Sequence, residues 1–349
     1  MAWPAASRGC TRSRPADPAA RPRPPAPVGV RKPPVRRPGG GHDDGVNDDE
    51  PQAEAVEDGP DGFRLRLAHR PPLDLPRLFR FLAARAVPGV EEYGSGTYRR
   101  VLTLPHGPGT VALTDGGEGY VTGRLRLADR RDLPVAVALC RRLLDLDTDP
   151  AAVTEALAGC PLLGPLRAAA PGLRSPGHVS PAELAVRALL GQQISVAGAR
   201  TIAGRLTAAY GRPLPVADGG LTHEFPTAEA LGTADPADLP MPTARKTALY
   251  ALAGALASGE VVLDPDADPD EAESRLRALP GIGPWTASYI RMRALGDPDV
   301  FLATDLGVRH ALERLGHPGD PANARRLAER WRPWRSYASH HLWSTLEPS

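Results

Sequence analysis

The chain has 349 residues and a formal net charge of +1, with 42% hydrophobic and 24% charged residues. This length suffices for two domains with a buried core, and the composition is typical of globular proteins. The near-zero net charge gives no information about a polyanionic partner, so a nucleic-acid partner must be argued from local sites. No run of 18 apolar residues occurs and the N-terminus lacks a secretory apolar core, so we expect a cytoplasmic protein without a membrane span.

The cysteines, Cys10, Cys140 and Cys160, are far apart and form no CxxC pair. They therefore indicate no disulfide framework, zinc site or iron–sulfur cluster, and reduced thiols are the simpler interpretation.

Residues 1–60 are predicted to be a disordered tail. Residues 1–40 are basic and proline-rich, and residues 43–58 are acidic. Such a segment has too few large apolar side chains to offset its ordering entropy. The basic part either contacts DNA non-specifically or is a dispensable extension.

Residues 61–148 are predicted to form a small antiparallel sheet domain with two helices. Apolar and polar residues alternate over 63–67, 98–104, 110–114 and 120–127, which is the pattern of half-buried strands. Apolar residues at helical spacing occur over 76–86 and 135–146.

Residues 149–349 are predicted to be all α. Ser180 and Glu183 fit a capping box that opens a helix to Leu190, and Ser195 caps a second helix that Gly211 ends. Further helices are expected at 228–231, 243–258, 268–279, 285–294, 306–315 and 321–331. The fold class is therefore α+β but mostly α, with a cleft expected between helical bodies.

A glycine-rich turn, LPGIGP at 279–284, joins two of these helices. Gly281 and Gly283 allow positive φ and a close backbone approach, and Pro284 fits the first turn of the next helix. The free N–H groups of that helix start could bind one DNA phosphate. An ordinary helical hairpin would show the same pattern.

Asp305 follows the apolar stretch 300–302 and stands at the start of another helix. By itself this position is that of an N-cap.

Several segments together resemble the helix-hairpin-helix DNA glycosylase superfamily, and within it the 3-methyladenine DNA glycosylase II branch. They are LPGIGPWTASY at 279–289 with DVFLATD at 299–305, FLAARA at 81–86, VRALLGQQIS at 186–195, and WRPWRSYA at 331–338 with HLW at 341–343. The resemblance spans about residues 62–345 and puts the helix-hairpin-helix at about 270–295.

The resemblance implies a monofunctional enzyme that removes an alkylated base from DNA by hydrolysing its N-glycosidic bond. Asp305 takes the position of the catalytic carboxylate, which would stabilise positive charge on the sugar or deprotonate the attacking water. Bifunctional relatives carry a Schiff-base lysine in the hairpin helix. Trp285 stands at that position here and Lys246 belongs to another helix, so lyase activity is not expected.

The resemblance also implies the residues that contact the base. Aromatic pocket positions are taken by Trp285, Tyr289, Phe81 and Trp343. An electron-rich ring attracts a cationic alkylated base, although the same side chains could be core packing. Gln193 takes the position of the wedge that fills the vacated stack, or it faces solvent. Leu306 stands where the closest branch carries Tyr, so one pocket wall differs.

DNA-binding positions are taken by Gln193, Gly281, Gly283, Thr286 and Arg309, with Arg335 as a further phosphate contact. Any single arginine could equally lie on a solvated face. The resemblance implies no catalytic cofactor, but it implies a structural monovalent or divalent cation on the backbone carbonyls of Arg277, Leu279 and Ile282. The expected partner is double-stranded DNA with damaged bases, bound by a monomer.

Two other functions stay open. A glycosylase for oxidised or mispaired bases is one, but its iron–sulfur branches carry four cysteines near the C-terminus and this chain has none after Cys160. A non-catalytic damage-binding module is the other, and Asp305 among aromatic residues argues against it.

Overall fold

The computed structural model describes residues 54–59, 62–117 and 119–346. Within them, the first part of the chain forms an antiparallel sheet with the strand order β1-β2-β6-β5-β4-β3. The strands are β1 Glu54–Gly59, β2 Gly62–Ala68, β3 Glu91–Gly94, β4 Thr97–Leu104, β5 Gly107–Asp115 and β6 Tyr120–Leu127. The four predicted strands correspond to β2, β4, β5 and β6, so the predicted sheet is confirmed.

Strands β1 and β3 are absent from the prediction. The predicted disordered tail over 1–60 is wrong for β1, which pairs with β2 and places Asp58 opposite Phe63. Backbone pairing with a neighbouring strand supplies hydrogen-bond partners that composition does not report. The rest of that predicted tail lies outside the described residues. Strand β3 has four residues, too few to show a period.

Helices α1 Leu75–Arg85 and α2 Leu133–Leu144 pack on one face of the sheet. Phe63, Leu65 and Leu67 of β2 are buried against them, while Arg64 and Arg66 between them are exposed. This alternation is the period of two that predicted the strand. The two predicted helices are confirmed.

The rest of the described chain is mainly helical. Its helices are α3 Pro150–Ala158, α4 Leu163–Ala169, α5 Pro181–Leu190, α6 Val196–Tyr210, α7 Ala228–Gly232, α8 Thr243–Ala257, α9 Pro269–Ala278, α10 Pro284–Ala294, α11 Leu306–Arg314, α12 Pro321–Ala328 and α13 Arg335–Ser344. The helix predicted over 321–331 ends earlier, because 329–331 form a 3-10 turn. None of the described helices has the length and hydropathy to cross a lipid bilayer.

The prediction that residues 149–349 are all α is wrong at one place. Strands β7 Pro213–Asp218 and β8 Leu221–His223 form a hairpin after α6. Asp218 accepts hydrogen bonds from Arg99, Thr110 and Arg126, which belong to the first sheet. The hairpin is thus held by partners about 100 residues away, which no local pattern can report.

The caps of α5 and α6 agree with the sequence in part. Ser180 Oγ accepts a hydrogen bond from Glu183 N–H at 3.2 Å, and Ser195 Oγ accepts one from Gly198 N–H at 3.1 Å. The return bond of the predicted capping box does not form, because the Glu183 carboxylate is buried against arginines and Ser180 N–H donates to His178 instead.

A buried ion cluster ties the sheet to α5. Arg100 is 1% exposed and donates to Glu91 at 3.1 Å and to Glu183 at 2.9 Å. Arg187 donates to Glu91 at 2.9 Å and to Glu183 at 2.7 Å. Burial raises the pKa of Glu91, but Arg187 and Arg100 outweigh it, so its pKa lies below the usual range. The carboxylates of Glu91 and Glu183 and the imidazole of His178 each have an atom that could bind a metal ion, and these atoms lie within 4.8 Å of one another. The guanidinium groups of Arg100 and Arg187 already balance the two carboxylates, so we interpret the cluster as an ion-pair network.

Candidate active site

The glycine-rich turn is stacked on α8. Gly281 has φ +78°, and a Cβ there would lie 2.7 Å from the Cβ of Ala248, so no other residue fits without strain. Gly283 differs from the prediction: its φ is −85°, and it is the N-cap of α10 with nothing within 4 Å of the place that a Cβ would take. No side chain caps α10, so the N–H groups of its first turn have no side-chain acceptor.

Asp305 is both an N-cap and a member of an aromatic cluster. Its Oδ1 accepts hydrogen bonds from Val308 N–H at 2.9 Å and from Trp343 Nε1 at 2.8 Å. Its Oδ2 accepts one from Trp285 Nε1 at 3.0 Å. The two interpretations of Asp305 are therefore compatible, because the cap bond and the indole bonds fix one carboxylate in one orientation.

Two of the predicted aromatic residues, Trp285 and Trp343, contact this carboxylate, and ring contacts connect the other two to them. Trp285 and Tyr289 lie one turn apart on α10 and stack with ring centroids 5.2 Å apart and planes 6° apart. His340 contacts Phe81 and Trp343 edge-on, at centroid distances of 5.2 and 4.9 Å. The four predicted aromatic residues are partly exposed, so they are surface-lining side chains and not purely core.

These residues line a cleft of about 1320 Å³. Also lining it are four of the residues that the sequence assigns to DNA binding, Gln193, Gly281, Gly283 and Thr286. Exposed apolar side chains on its walls belong to Ile194, Val196, Leu306 and Leu346. The structure thus brings the predicted carboxylate, the aromatic residues and the glycine turn to one concave surface.

Three predicted DNA contacts have other partners. The Thr286 side chain is 3% exposed and accepts a hydrogen bond from Gln192. Arg309 lies outside the cleft lining and donates through Nε to the carbonyl of Gly319. Arg335 pairs with Asp299, so its charge is already balanced. Gln193 is exposed and has φ +57°, a left-handed conformation that side chains rarely adopt.

Two arginines that the sequence did not predict, Arg85 and Arg293, form a basic floor of the cleft. The guanidinium of Arg85 lies 3.7 Å from the centre of the Phe81 ring, and that of Arg293 lies 4.9 Å from it. Arg293 also donates to the Tyr289 hydroxyl at 3.0 Å. Each arginine follows its aromatic partner by four residues on a helix, a spacing that could have indicated the contact.

Two titratable side chains that line the cleft, Tyr289 and His178, have pKa values below their usual ranges. Burial raises the pKa of Tyr289, but Arg293 and Arg85 outweigh it and bring its pKa below the usual range. Burial, together with Arg100, lowers the pKa of His178 well below its usual range, so this imidazole is neutral. Arg187 donates to the carbonyl of Arg85 at 2.5 Å and so fixes the end of α1 against α5.

Lysine takes no part in the described lining of the cleft. Lys246 is on α8 and donates to the carbonyl of Pro236. Cys140 is buried, and burial raises the pKa of its thiol to about 12, so it is not a nucleophile at neutral pH.

Several known proteins are similar to this chain over most of its length. DNA-3-methyladenine glycosylase 2 of Escherichia coli is 38% identical over 280 residues, which are 79% of this chain and 95% of that protein. The chain belongs to the DNA-3-methyladenine glycosylase 2 family. The family model of the AlkA N-terminal domain matches residues 64–180, which include most of strand β2 and all of strands β3 to β6.

Longer relatives of this glycosylase 2 family member occur in Mycobacterium tuberculosis. Two sequences, each named a probable bifunctional transcriptional activator/DNA repair enzyme AlkA, are 52% identical over 283 residues, or 81% of this chain. The chain spans only 57% of their length. Among solved structures, 3-methyladenine DNA-glycosylase from Archaeoglobus fulgidus aligns with a TM-score of 0.70 and 25% identity, over 80% of this chain and 96% of that one.

Proposed function

We propose that this chain is a monofunctional DNA glycosylase that excises alkylated purine bases by hydrolysing the N-glycosidic bond. The observation that carries the proposal is the Asp305 carboxylate, held by Trp285 and Trp343 inside a cleft that the glycine turn also lines. The names of the E. coli and A. fulgidus proteins support the same activity.

Asp305 is the catalytic residue of this proposal. Cleavage of the bond at C1′ builds positive charge on the sugar, as in other glycosyl transfers. A carboxylate held by two indole N–H groups is oriented before the reaction and stabilises that charge without rearrangement. The same carboxylate orients the attacking water or accepts its proton.

Water is the nucleophile because the lining offers no amine in the described residues. Trp285 occupies the position from which bifunctional relatives attack, and its indole nitrogen carries no basic lone pair. The product is an abasic site in an intact strand. Borohydride treatment during turnover is therefore expected to trap no covalent protein–DNA adduct, and a high yield of such an adduct would contradict hydrolysis by water.

Base recognition rests on the aromatic wall. Trp285 already stacks on Tyr289 with one face, and the other face can receive a flipped base. Alkylation at N3 or N7 makes a purine cationic, and a cationic ring is attracted to an aromatic face. The positive charge of the base and its weakened N-glycosidic bond then select the lesion, more than hydrogen bonds to the edge of the base.

A second candidate substrate is a neutral purine lesion such as hypoxanthine. Arg85 and Arg293 place positive charge next to Phe81 and Tyr289, and that charge opposes a cationic base. Competition between duplexes that carry either N7-methylguanine or hypoxanthine distinguishes the two classes. Faster release of hypoxanthine than of N7-methylguanine would mean that Arg85 and Arg293 determine the substrate preference more than the aromatic wall does.

The partner in this proposal is double-stranded DNA with a damaged base, bound by a monomer in the cytoplasm. The open N-terminus of α10 beside Gly283 binds one phosphate, and Gln193 fills the stack that the flipped nucleotide leaves. Arg309 supplies a second phosphate contact through the part of its guanidinium that Gly319 does not use.

A structural cation on the hairpin belongs to the same proposal, with no role in the chemistry. A carbonyl oxygen has two lone pairs, and one that accepts no hydrogen bond has both of them free for such an ion. Among the described residues, the carbonyls of Arg277 and Ile282 accept no hydrogen bond, whereas that of Leu279 accepts one from Ile282 N–H at 3.3 Å. Two of the three implied oxygens therefore fit a cation, which would help to neutralise the phosphate.

Release of free bases from methylated duplex DNA tests the function. Chromatography identifies each base, and Asp305→Asn is the matched control because it keeps the shape of the side chain. Base release by the wild type alone supports the glycosylase. Tight binding of damaged duplex without any release would instead support the damage-binding module.

A further inference from the structure

Gln192 joins the turn that carries Gln193 to the glycine turn. Its side-chain amide donates to the carbonyl of Gly281 at 3.0 Å and to Thr286 Oγ1 at 2.9 Å. A primary amide has two N–H donors, so both are used. These partners lie 89 and 94 residues further along the chain, one in the glycine turn and one in the first turn of α10.

Helix α8 supports both turns from behind. Arg245 donates to the backbone carbonyl of Gln192 at 2.6 Å. Ala248, one turn further along α8, is the residue that Gly281 packs against. Gln192 N–H donates in turn to Leu189 at the end of α5. The backbone of Gln192 is therefore held on one side by α8 and on the other by α5, while its side chain binds the glycine turn and α10.

Gln193 is held in a conformation that needs such support. Its φ of +57° is costly for a side chain with a Cβ, and it persists only where the surroundings determine it. The Gln193 side chain is exposed and makes no hydrogen bond among the described residues. The hydrogen bonds of the neighbouring Gln192 are in place to support this conformation, and Gln193 itself lines the cleft.

We propose that Gln192 is a positioning residue that holds the Gln193 turn at a fixed position relative to the glycine turn. The residue that enters the duplex and the helix that binds the phosphate then keep a constant separation. The proposal rests on the proposed function of the site. If the two turns form one body, binding of a phosphate at α10 fixes how deep Gln193 enters the duplex. Small displacements at such a contact have large effects on rate.

The test compares excision of one N7-methylguanine from a duplex with excision from the same oligonucleotide as a single strand. A single strand has no base stack for Gln193 to fill, so its excision does not depend on the position of Gln193 relative to the glycine turn. Gln192→Met keeps the length of the side chain and removes both donors. We expect the single-turnover rate on the duplex to fall at least about tenfold, and the rate on the single strand to stay within about twofold.

Thr286→Val removes one of the same hydrogen bonds from the other side. We expect a duplex-selective loss here too, and the double variant should lose no more than Gln192→Met alone. Thr247→Ala, an exposed hydroxyl on α8 that bonds only within its helix, is the matched control and should leave both rates unchanged.

Equal losses on both substrates would overturn the proposal, since they mean a general structural defect. Additive losses in the double variant, or no loss on the duplex, would overturn it as well. If the wild type releases no base, it is the proposed function that fails. Affinities of the same variants for duplex and single-stranded DNA with an abasic site then decide the positioning role: a duplex-selective loss supports it, and an equal or absent loss overturns it.

Discussion

Replacing Asp305 by Asn removes one negative charge and leaves the shape of the site almost unchanged. The amide oxygen can keep the bonds from Val308 and Trp343, and Asn caps helices as well as Asp does. At the second oxygen, an amide N–H would face the indole N–H of Trp285. This conflict of donors costs roughly 1 kcal/mol of unfolding free energy.

The expected loss of rate is much larger than the loss of stability. A carboxylate about 4 Å from a developing positive charge stabilises it by roughly 4 kcal/mol at an effective dielectric constant of about 20. Losing that stabilisation slows the reaction about 1000-fold. Single-turnover release of N7-methylguanine measures the rate, and denaturant unfolding measures the stability of the same preparation.

Asp320→Asn is the matched control, because Asp320 caps α12 through Ala322 and Asn323 and lies outside the cleft. It should change neither the rate nor the unfolding free energy measurably. If Asp305→Asn excised within about tenfold of the wild-type rate, the electrostatic argument would be refuted.

Trp285→Phe keeps an aromatic ring but removes the N–H bond to the carboxylate, so we expect excision to slow about 10- to 100-fold, as for a hydrogen bond to a charged group. Arg100→Met leaves two buried carboxylates short of a partner, and denaturant unfolding should show a loss of about 3–5 kcal/mol. Burial, with Arg167 and Arg77 nearby, lowers the pKa of His341 to about 4, against 6.5 in the unfolded chain. The unfolded chain therefore binds the proton more tightly, so this stability is complete above about pH 6.5 and is lost as the pH falls toward 4. His341→Gln should flatten the fall in unfolding free energy over that range by roughly 3 kcal/mol.

Each of these variants has a matched control. Trp334→Phe changes a tryptophan outside the cleft lining and should leave the excision rate unchanged. Arg130→Met breaks an exposed ion pair with Asp58 and should cost under about 1 kcal/mol. His310→Gln changes an exposed histidine and should keep the wild-type pH profile. An equal effect of variant and control would contradict the corresponding argument.

The helices and most strands could be predicted because their signals are local. Ser180 and Ser195 cap helices that begin within the next residue, and the alternation of β2 reports which side of a strand is buried. The β7–β8 hairpin could not be predicted, because its anchor Asp218 binds arginines in a different part of the chain. The break of the capping box at Glu183 has the same origin, since Arg100 lies 83 residues away.

The candidate site likewise has a part that the sequence could predict and a part that it could not. Asp305, Trp285 and the glycine turn are close together in the sequence. One helical hairpin and one helix cap are therefore enough to bring them near one another. The sequence by itself therefore determined the catalytic carboxylate as a candidate. Only the tertiary structure decided that Arg85 and Arg293 form the floor, and that Gln192 joins two turns. Side chains far apart in sequence meet through the packing of whole helices, and that packing depends on many weak contacts at once.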